Sequence, residues 1–420
     1  MNLQQWLEYL ESCHPSNIEL GLERISQVAS KLPIDFSNIK VITVAGTNGK
    51  GSTVTMLSAI LQAGGYRTAT YTSPHILAYN ERVMLGDRYA TDEELCDSFA
   101  AVEAVRGDIQ LTYFEFGTLA ALQLFSASKP DVVILEVGLG GRLDAVNILD
   151  PDIAIVTNVA LDHTDWLGDT REAIGTEKAG IFRPGKPALV GEVDIPATVL
   201  AHAWDIGAIL YANGDAFTAA ESGHGTWRWQ GRDAKGKPLT LELPQNNYPL
   251  DNCATVVQAI QLLAPDINAQ AIASGLANAE LPGRFQVIDR GYPLILDVGH
   301  NPHAAQRVKT QIETRYPGYR VVLLVGMLAD KDYASVMSVY RQLVPCWVVA
   351  GIQEERGLAA KILYNYLLES GESDVTNCDT IAEAFQVAEQ TCQDIAKNGE
   401  HVLLLVTGSF FTVSGVMELV

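Results

Sequence analysis

VITVAGTNGKGSTVTMLSAILQAGG, residues 41–65, passes from a β-branched run into glycines around one lysine and then into apolar residues at helical spacing. This order reads as strand, phosphate loop and helix. With no Cβ in the way, backbone N–H groups between Gly46 and Gly51 can close on phosphate oxygens, and the following helix adds its positive N-terminal end. Lys50 then reaches the outer phosphates, with Ser52 or Thr53 near a Mg²⁺. The spacing departs from the common G-x-x-x-x-G-K-[ST], because Gly46 lies three residues before Gly49 and Gly51 separates Lys50 from Ser52. An ordinary glycine-rich turn is the competing reading, but packing alone seldom needs a lysine flanked by glycines between a buried strand and a helix.

A chain of 420 residues exceeds what one hydrophobic core serves, so two domains are expected. Hydrophobic residues make up 48% and charged residues 19%, the composition of a globular protein. The net charge of -21 opposes a nucleic-acid or anionic-membrane partner, so an anionic ligand must be held by locally placed Lys or Arg. Six scattered cysteines form no C-x-x-C pair, which fits a reducing compartment. Glu8 and Glu11 stand where a signal peptide would be basic, and no apolar run approaches a membrane span. A cytoplasmic monomer is expected.

In chain order, residues Leu3 to Leu10 and about Leu20 to Leu32 read as helices, with a turn around His14, Pro15 and Ser16 between them. Gly21, Leu22, Glu23 and Arg24 fall in the second helix, where the adjacent charges read as a solvated pair. The strand TATYT ends in Ser73-Pro74-His75, at a place where open α/β sheets keep their ligands. Helices are expected from about Asp92 to Val105 and through Phe116 to Phe125. The stretch between them, Leu111, Thr112, Tyr113, Phe114 and Glu115, is either a binding wall or a helix start.

DVVILEV, residues 131–137, has the continuous apolar character of a central parallel strand, interrupted by Glu136. A carboxylate there is costly unless it is paired or metal-bound, so its position at the strand end suggests a Mg²⁺ role, with a salt-bridged structural glutamate as the alternative. The following GLGGRLDAVN loop offers Arg142 and Asp144. IAIVTNV forms another buried strand and opens into Asp162 and His163, for which metal ligation and acid/base work are both open. Lys178, near the end of a helix closing at Gly180, reads as an ordinary exposed lysine.

Residues Thr226 to Leu243 alternate like a hairpin whose aromatics form a packing face, and Asn252 begins another helix. Leu281-Pro282-Gly283-Arg284 is the expected boundary between domains 1–281 and 282–420. Beyond it, YPLILDV, RVVLLVGML, CWVVAGI and HVLLLVTG alternate with helical segments, so a second, smaller Rossmann-like α/β domain is expected. Asn301-Pro302 makes a good N-cap and first position, which places Asp297 and His300 on a strand-to-helix crossing. Two α/β domains with a phosphate loop and acidic strand ends fit an ATP-using enzyme whose substrate is held at a closing cleft.

AGTNGKGS at 45–52, SPH at 73–75, LEVGLGGRLDAVN at 135–147, ALDHTDWLG at 160–168, EKAGIF at 177–182, LPGRFQ at 281–286 and DVGHNPHA at 297–304 together resemble the folylpolyglutamate synthase family. That family belongs with the Mur ligases, which share the shortened phosphate loop. LGLERIS at 20–26 and LTYFEFGT at 111–118 further resemble its bifunctional type, which acts on dihydropteroate as well as folates. The resemblance implies an N-terminal phosphate-loop NTPase-like domain with a mainly parallel sheet.

It further implies that Thr47, Asn48, Gly49 and Lys50 hold the ATP phosphates, that Asn252, Arg284 and Asp297 contact ATP, and that Ser73, Glu136 and His163 ligate Mg²⁺. It places the pterin substrate against Gly21 to Arg24, Thr112 to Glu115, and Leu143, Asp144 and Ala145, and marks Lys178 as a carbamylated lysine. Lys50, Lys178 and His163 are the implied catalytic residues. The implied reaction joins L-glutamate to dihydropteroate or to reduced folates through an acyl phosphate. A Mur ligase for a cell-wall nucleotide precursor and a non-catalytic phosphate-loop switch are the rival readings.

Overall fold

Each apolar run named above becomes a strand of the computed structural model, which describes residues 1–420 except Pro15, Asn17, His224, Val344 and Pro345. The turn expected around His14, Pro15 and Ser16 therefore lies in part outside the described residues. The chain divides between Glu280 and Leu281, one residue before the boundary read from the sequence.

In the first unit β1 (Lys40–Ala45), β2 (Thr68–Tyr71), β3 (Val83–Leu85), β4 (Arg88–Tyr89), β5 (Val132–Glu136), β6 (Ile153–Val156), β7 (Pro187–Val190) and β8 (Ile209–Ala212) form one sheet in the order β4-β3-β2-β5-β1-β6-β7-β8. It is parallel from β2 through β8, while β3 and β4 pair antiparallel at one edge. The continuous apolar reading of β1 and β5 has a direct cause. Val41, Ala45, Val133 and Leu135 enter the core on one face, whereas Ile42, Val44, Val132 and Ile134 enter the core on the other.

The register sets Glu136 beside Val44, Val156 beside Ala45 and Leu135 beside Tyr71. The loops after β1, β2, β5 and β6 consequently leave the sheet along one edge. The helix Lys50–Ala63 buries Val54, Met56, Leu57, Ile60 and Leu61 against the second of these cores.

The helix expected over residues 20–32 is shorter, Glu23–Ala29. Gly21 is drawn out of it, because its N–H donates to the Leu143 carbonyl at 3.3 Å. Thr112 to Glu115 resolve as a helix start: Thr112 caps Tyr113–Ser128, and the Glu115 carboxylate returns to the Thr112 N–H at 2.8 Å. The expected hairpin gains a third strand, giving an antiparallel sheet of β9 (Thr218–Gly223), β10 (Thr226–Arg232) and β11 (Pro238–Pro244). Trp227 and Trp229 face inward from β10 as packing groups, their indole N–H groups donating to the carbonyls of Pro244 and Ala254.

The second unit carries β12 (Gln286–Asp289), β13 (Pro293–Asp297), β14 (Arg320–Val325), β15 (Cys346–Ala350), β16 (Val375–Cys378) and β17 (Val402–Thr407) in the order β12-β13-β17-β14-β15-β16. Only β12 runs antiparallel among them. Asn301 caps Pro302–Arg315 as its sequence indicates, accepting from the Ala304 N–H at 2.9 Å. No helix among the described residues is long and apolar enough to cross a membrane.

Candidate active site

The phosphate loop is shaped by what surrounds it. A Cβ on Gly46 would lie 1.8 Å from Thr157 Oγ1, and one on Gly49, at φ +81°, would lie 2.3 Å from Asn252 Nδ2. Not every backbone donor of the loop points outward, as the sequence suggested. Thr47 N–H donates to the Asn158 carbonyl at 3.0 Å, and Asn48 N–H donates to Asn158 Oδ1 at 2.9 Å. The first N–H bonded within the helix is that of Thr53, to the Gly49 carbonyl. Gly49 to Ser52 thus form the N-terminal turn of the helix, where negative charge is favoured.

Two ammonium groups meet on this loop. Lys50 Nζ donates to the carbonyls of Gly46 at 3.1 Å and Thr47 at 3.3 Å. Lys178, which composition alone marks as exposed, is buried, and its Nζ donates to the same Gly46 carbonyl at 3.1 Å. Burial and the neighbouring Lys50 charge push the Lys178 amine down to about 7, against the pull of Asp162 and Asp144. Lys178 lies near the end of the helix Arg171–Ala179, whose termination at Gly180 the sequence anticipates.

Glu136 is buried at the carboxyl end of β5, and its Oε2 accepts from the Ser73 N–H at 3.2 Å. Ser73 and Glu136 are thus brought together from the ends of neighbouring strands. His163 lies seven residues beyond the end of β6 at Val156, at the start of the helix Thr164–Leu167, in the left-handed region at φ 51° with Nε2 4.0 Å from Asp162 Oδ1. No three His, Cys, Asp or Glu side chains converge as a metal cluster among the described residues. The hydroxyl of Ser73 and the carboxylate of Glu136 are oxygen donors of the kind that suit Mg²⁺, which takes few protein ligands and completes its shell with phosphate oxygens and water. The Oγ1 of Thr53 and the Nδ2 of Asn252 are buried with no hydrogen-bond partner among the described residues.

The segments 21–24, 112–115 and 143–145, far apart in sequence, meet in one corner of the first unit. Gly21 is tied to Leu143 through the backbone, and Arg24 Nη2 donates to Glu115 Oε1 at 3.1 Å. Arg24 is therefore not half of a solvated pair with Glu23. It joins Glu115, which is buried, and also the side chain of Glu19. Asp144 is buried between the N–H groups of Leu139 at 2.8 Å and Val146 at 3.1 Å, and burial pushes its carboxyl up to about 6. Ala145 is buried behind it, Leu22 and Tyr113 are half-buried, and Glu23 is exposed. Phe114 packs 5.8 Å from the Tyr71 ring and closely against Gly138, where a Cβ would come within 2.7 Å of the phenyl.

Asn158 escaped the sequence reading. Its signal was available in the same form as that of Glu136: Thr157-Asn158 breaks an apolar run at a strand's carboxyl end.

In the second unit, Asp297 ends β13 with Oδ2 accepting from Phe285 N–H at 2.9 Å and Oδ1 from Gly299 N–H at 2.8 Å. It braces the turn that displays its neighbours. The Arg284 guanidinium lies 5.1 Å from the centre of the Phe410 ring, and His300 Nδ1 is 3.0 Å from the Val298 carbonyl.

A phosphate loop followed by a lysine-bearing helix and an acidic strand end, with a second α/β unit downstream, defines a Mur-type ligase. Residues 44–204 match the Mur ligase middle domain and residues 283–410 the Mur ligase glutamate ligase domain. The dihydrofolate synthase/folylpolyglutamate synthase of Escherichia coli (strain K12) is 44% identical, covering 100% of this chain and 95% of its own. The structure of E. coli FolC in complex with DHPP and ADP matches with a TM-score of 0.90 at 43% identity, over 100% of this chain and 97% of that one. A bifunctional folylpolyglutamate synthase/dihydrofolate synthase with Mn, AMPPNP and L-glutamate bound matches with a TM-score of 0.87 at 44% identity, over 100% and 98%. The chain belongs to the dihydrofolate synthase/folylpolyglutamate synthase family of Mur ligases.

Proposed function

We infer that the chain is an ATP-dependent ligase adding L-glutamate to dihydropteroate, which forms dihydrofolate, and to reduced folates, which forms folylpolyglutamates. One observation carries this reading: Lys50 and Lys178 converge on the Gly46 carbonyl at the sheet edge where Glu136 ends its strand, in a chain that matches these ligases over its whole length.

The substrate carboxylate oxygen attacks the γ-phosphorus of ATP, ADP leaves, and an acyl phosphate results. The glutamate amine then attacks the acyl carbon, phosphate departs, and the amine proton is lost to solvent. Almost all the catalysis is positioning and charge neutralisation. Thr47 to Lys50 form the phosphate cradle, with Gly49 and Lys50 presenting donors while Thr47 and Asn48 shape the loop. Ser73, Glu136 and His163 would hold Mg²⁺, which would supply neutralisation of the terminal phosphates. Lys178 as a carbamate places an anion where its ammonium would repel the cation. Asn252, Arg284 and Asp297 serve the nucleotide. The corner of residues 21–24, 112–115 and 143–145 receives the pterin.

Residues 1–281 are proposed as the ATP-binding domain and 282–420 as the C-terminal ligase domain. A monomer in the cytoplasm fits the charge of -21 and the six cysteines, all of them free thiols. The test is glutamate-stimulated ADP release with dihydropteroate, with a reduced folate, and with neither. Release with both substrates is expected. Release on folates alone would remove dihydrofolate synthesis from the assignment, and release that ignores both would remove the ligase.

A further inference from the structure

Val159 follows Asn158 on the loop after β6, is buried, and has both of its backbone polar groups held by side chains. Arg171 Nε donates to its carbonyl at 2.8 Å, and its N–H donates to Glu192 Oε2 at 3.0 Å. The same Glu192 oxygen accepts from Arg171 Nη2 at 3.2 Å, so the two side chains close a ring around the backbone of one residue. The residues on either side of Val159 are those that grip the phosphate loop. Asn158 takes the N–H groups of Thr47 and Asn48, while Ala160 exchanges hydrogen bonds with Thr47 Oγ1 at 3.0 and 3.1 Å. Arg171 also opens the helix whose far end delivers Lys178 to the Gly46 carbonyl.

We propose that Arg171 and Glu192 are positioning residues for the nucleotide, fixing Val159 so that Asn158 and Ala160 set the phosphate loop and the Lys178 helix in one register. The inference rests on reading residues 46–50 as the nucleotide site. Arg is required because its planar fork serves a carbonyl and a carboxylate at once, which a lysine ammonium on a flexible stem does not. Asp194 also touches Arg171, at 3.0 Å, but is 92% exposed and lies outside the ring, so it contributes little.

The test measures ADP affinity by calorimetry, together with KM for ATP and for dihydropteroate and the melting temperature, in the full chain. Arg171→Ala and Glu192→Ala should weaken ADP binding by about tenfold to a hundredfold while the dihydropteroate KM at saturating ATP stays unchanged. Arg171→Lys should remain impaired. Glu192→Gln, which keeps an acceptor for the Val159 N–H, should recover most of the affinity, and Asp194→Ala should stay within about twofold of the parent. A lower melting temperature with unchanged ADP affinity in folded Arg171→Lys and Glu192→Ala would make the pair a structural staple and overturn the inference. Lys50→Ala separates this from the reading beneath it. Lost turnover there with normal nucleotide binding in Arg171→Ala sinks only the clamp, whereas normal ATP-coupled turnover in Lys50→Ala sinks the nucleotide site itself.

Discussion

The phosphate loop and the corner formed by residues 21–24, 112–115 and 143–145 lie in one unit and are built on opposite plans. The loop is local: its glycines, Lys50 and helix follow one another within residues 46–63, and the rest of the fold trims and braces it. The corner is assembled at a distance, by a backbone bond from Gly21 to Leu143 and an ion pair from Arg24 to Glu115. The loop presents backbone donors that serve any phosphate. The corner presents a buried carboxylate, an arginine and aromatic rings, a surface able to tell one organic substrate from another. Damage to the loop should therefore stop every reaction of the enzyme, and damage to the corner should change which substrate is preferred.

The largest effect tests the loop. Lys50→Ala should lower turnover with dihydropteroate and with a reduced folate alike, by about a hundredfold or more, with its melting temperature retained. Unequal losses would mean that the loop also selects substrate and would break the contrast.

Lys178→Ala should come next, losing activity on both substrates by about a hundredfold, with partial return on adding acetate or formate as a small carboxylate. Full activity without rescue would end the carbamate assignment. A stability measurement sharpens the same point. The folded amine, held at about 7, loses its proton before the unfolded one at 10.5, so in that interval the unfolded chain binds more protons and stability rises with pH. Below about 7 both states keep the proton and this slope vanishes. Protein depleted of CO2 should show the slope, and Lys178→Met should not.

The smallest effect tests the corner. Glu115→Ala should depress dihydropteroate kcat/KM by about tenfold while leaving folate glutamylation within about threefold, since a folate presents its carboxylate one glutamate further out. Because Glu115 also caps its helix, Glu115→Gln serves as the control. It keeps an acceptor for the Thr112 N–H but loses the ion pair with Arg24, and should show the same selectivity change with less loss of stability. Equal losses on both substrates would make the corner a structural joint.

By itself the sequence determined the strand-loop-helix at 41–65, the buried parallel strands and the polar residues at their ends, because periodicity, glycine and a carboxylate in an apolar run are local signals. Glu136 stood out as the one charge in the run VVILEV, residues 132–137, and Asn301-Pro302 announced its helix start. Only the tertiary structure decided that Lys178 is buried beside Lys50, that Arg24 turns from Glu23 to Glu115, and that Asn158 consumes two of the loop's own donors. Short edge strands such as β8 and β12, four residues each, were illegible because their pairing comes from neighbours. The physical reason is common to all of these. A side chain's partner across a fold is set by strand order and register, and neither is written within the few residues on either side of it.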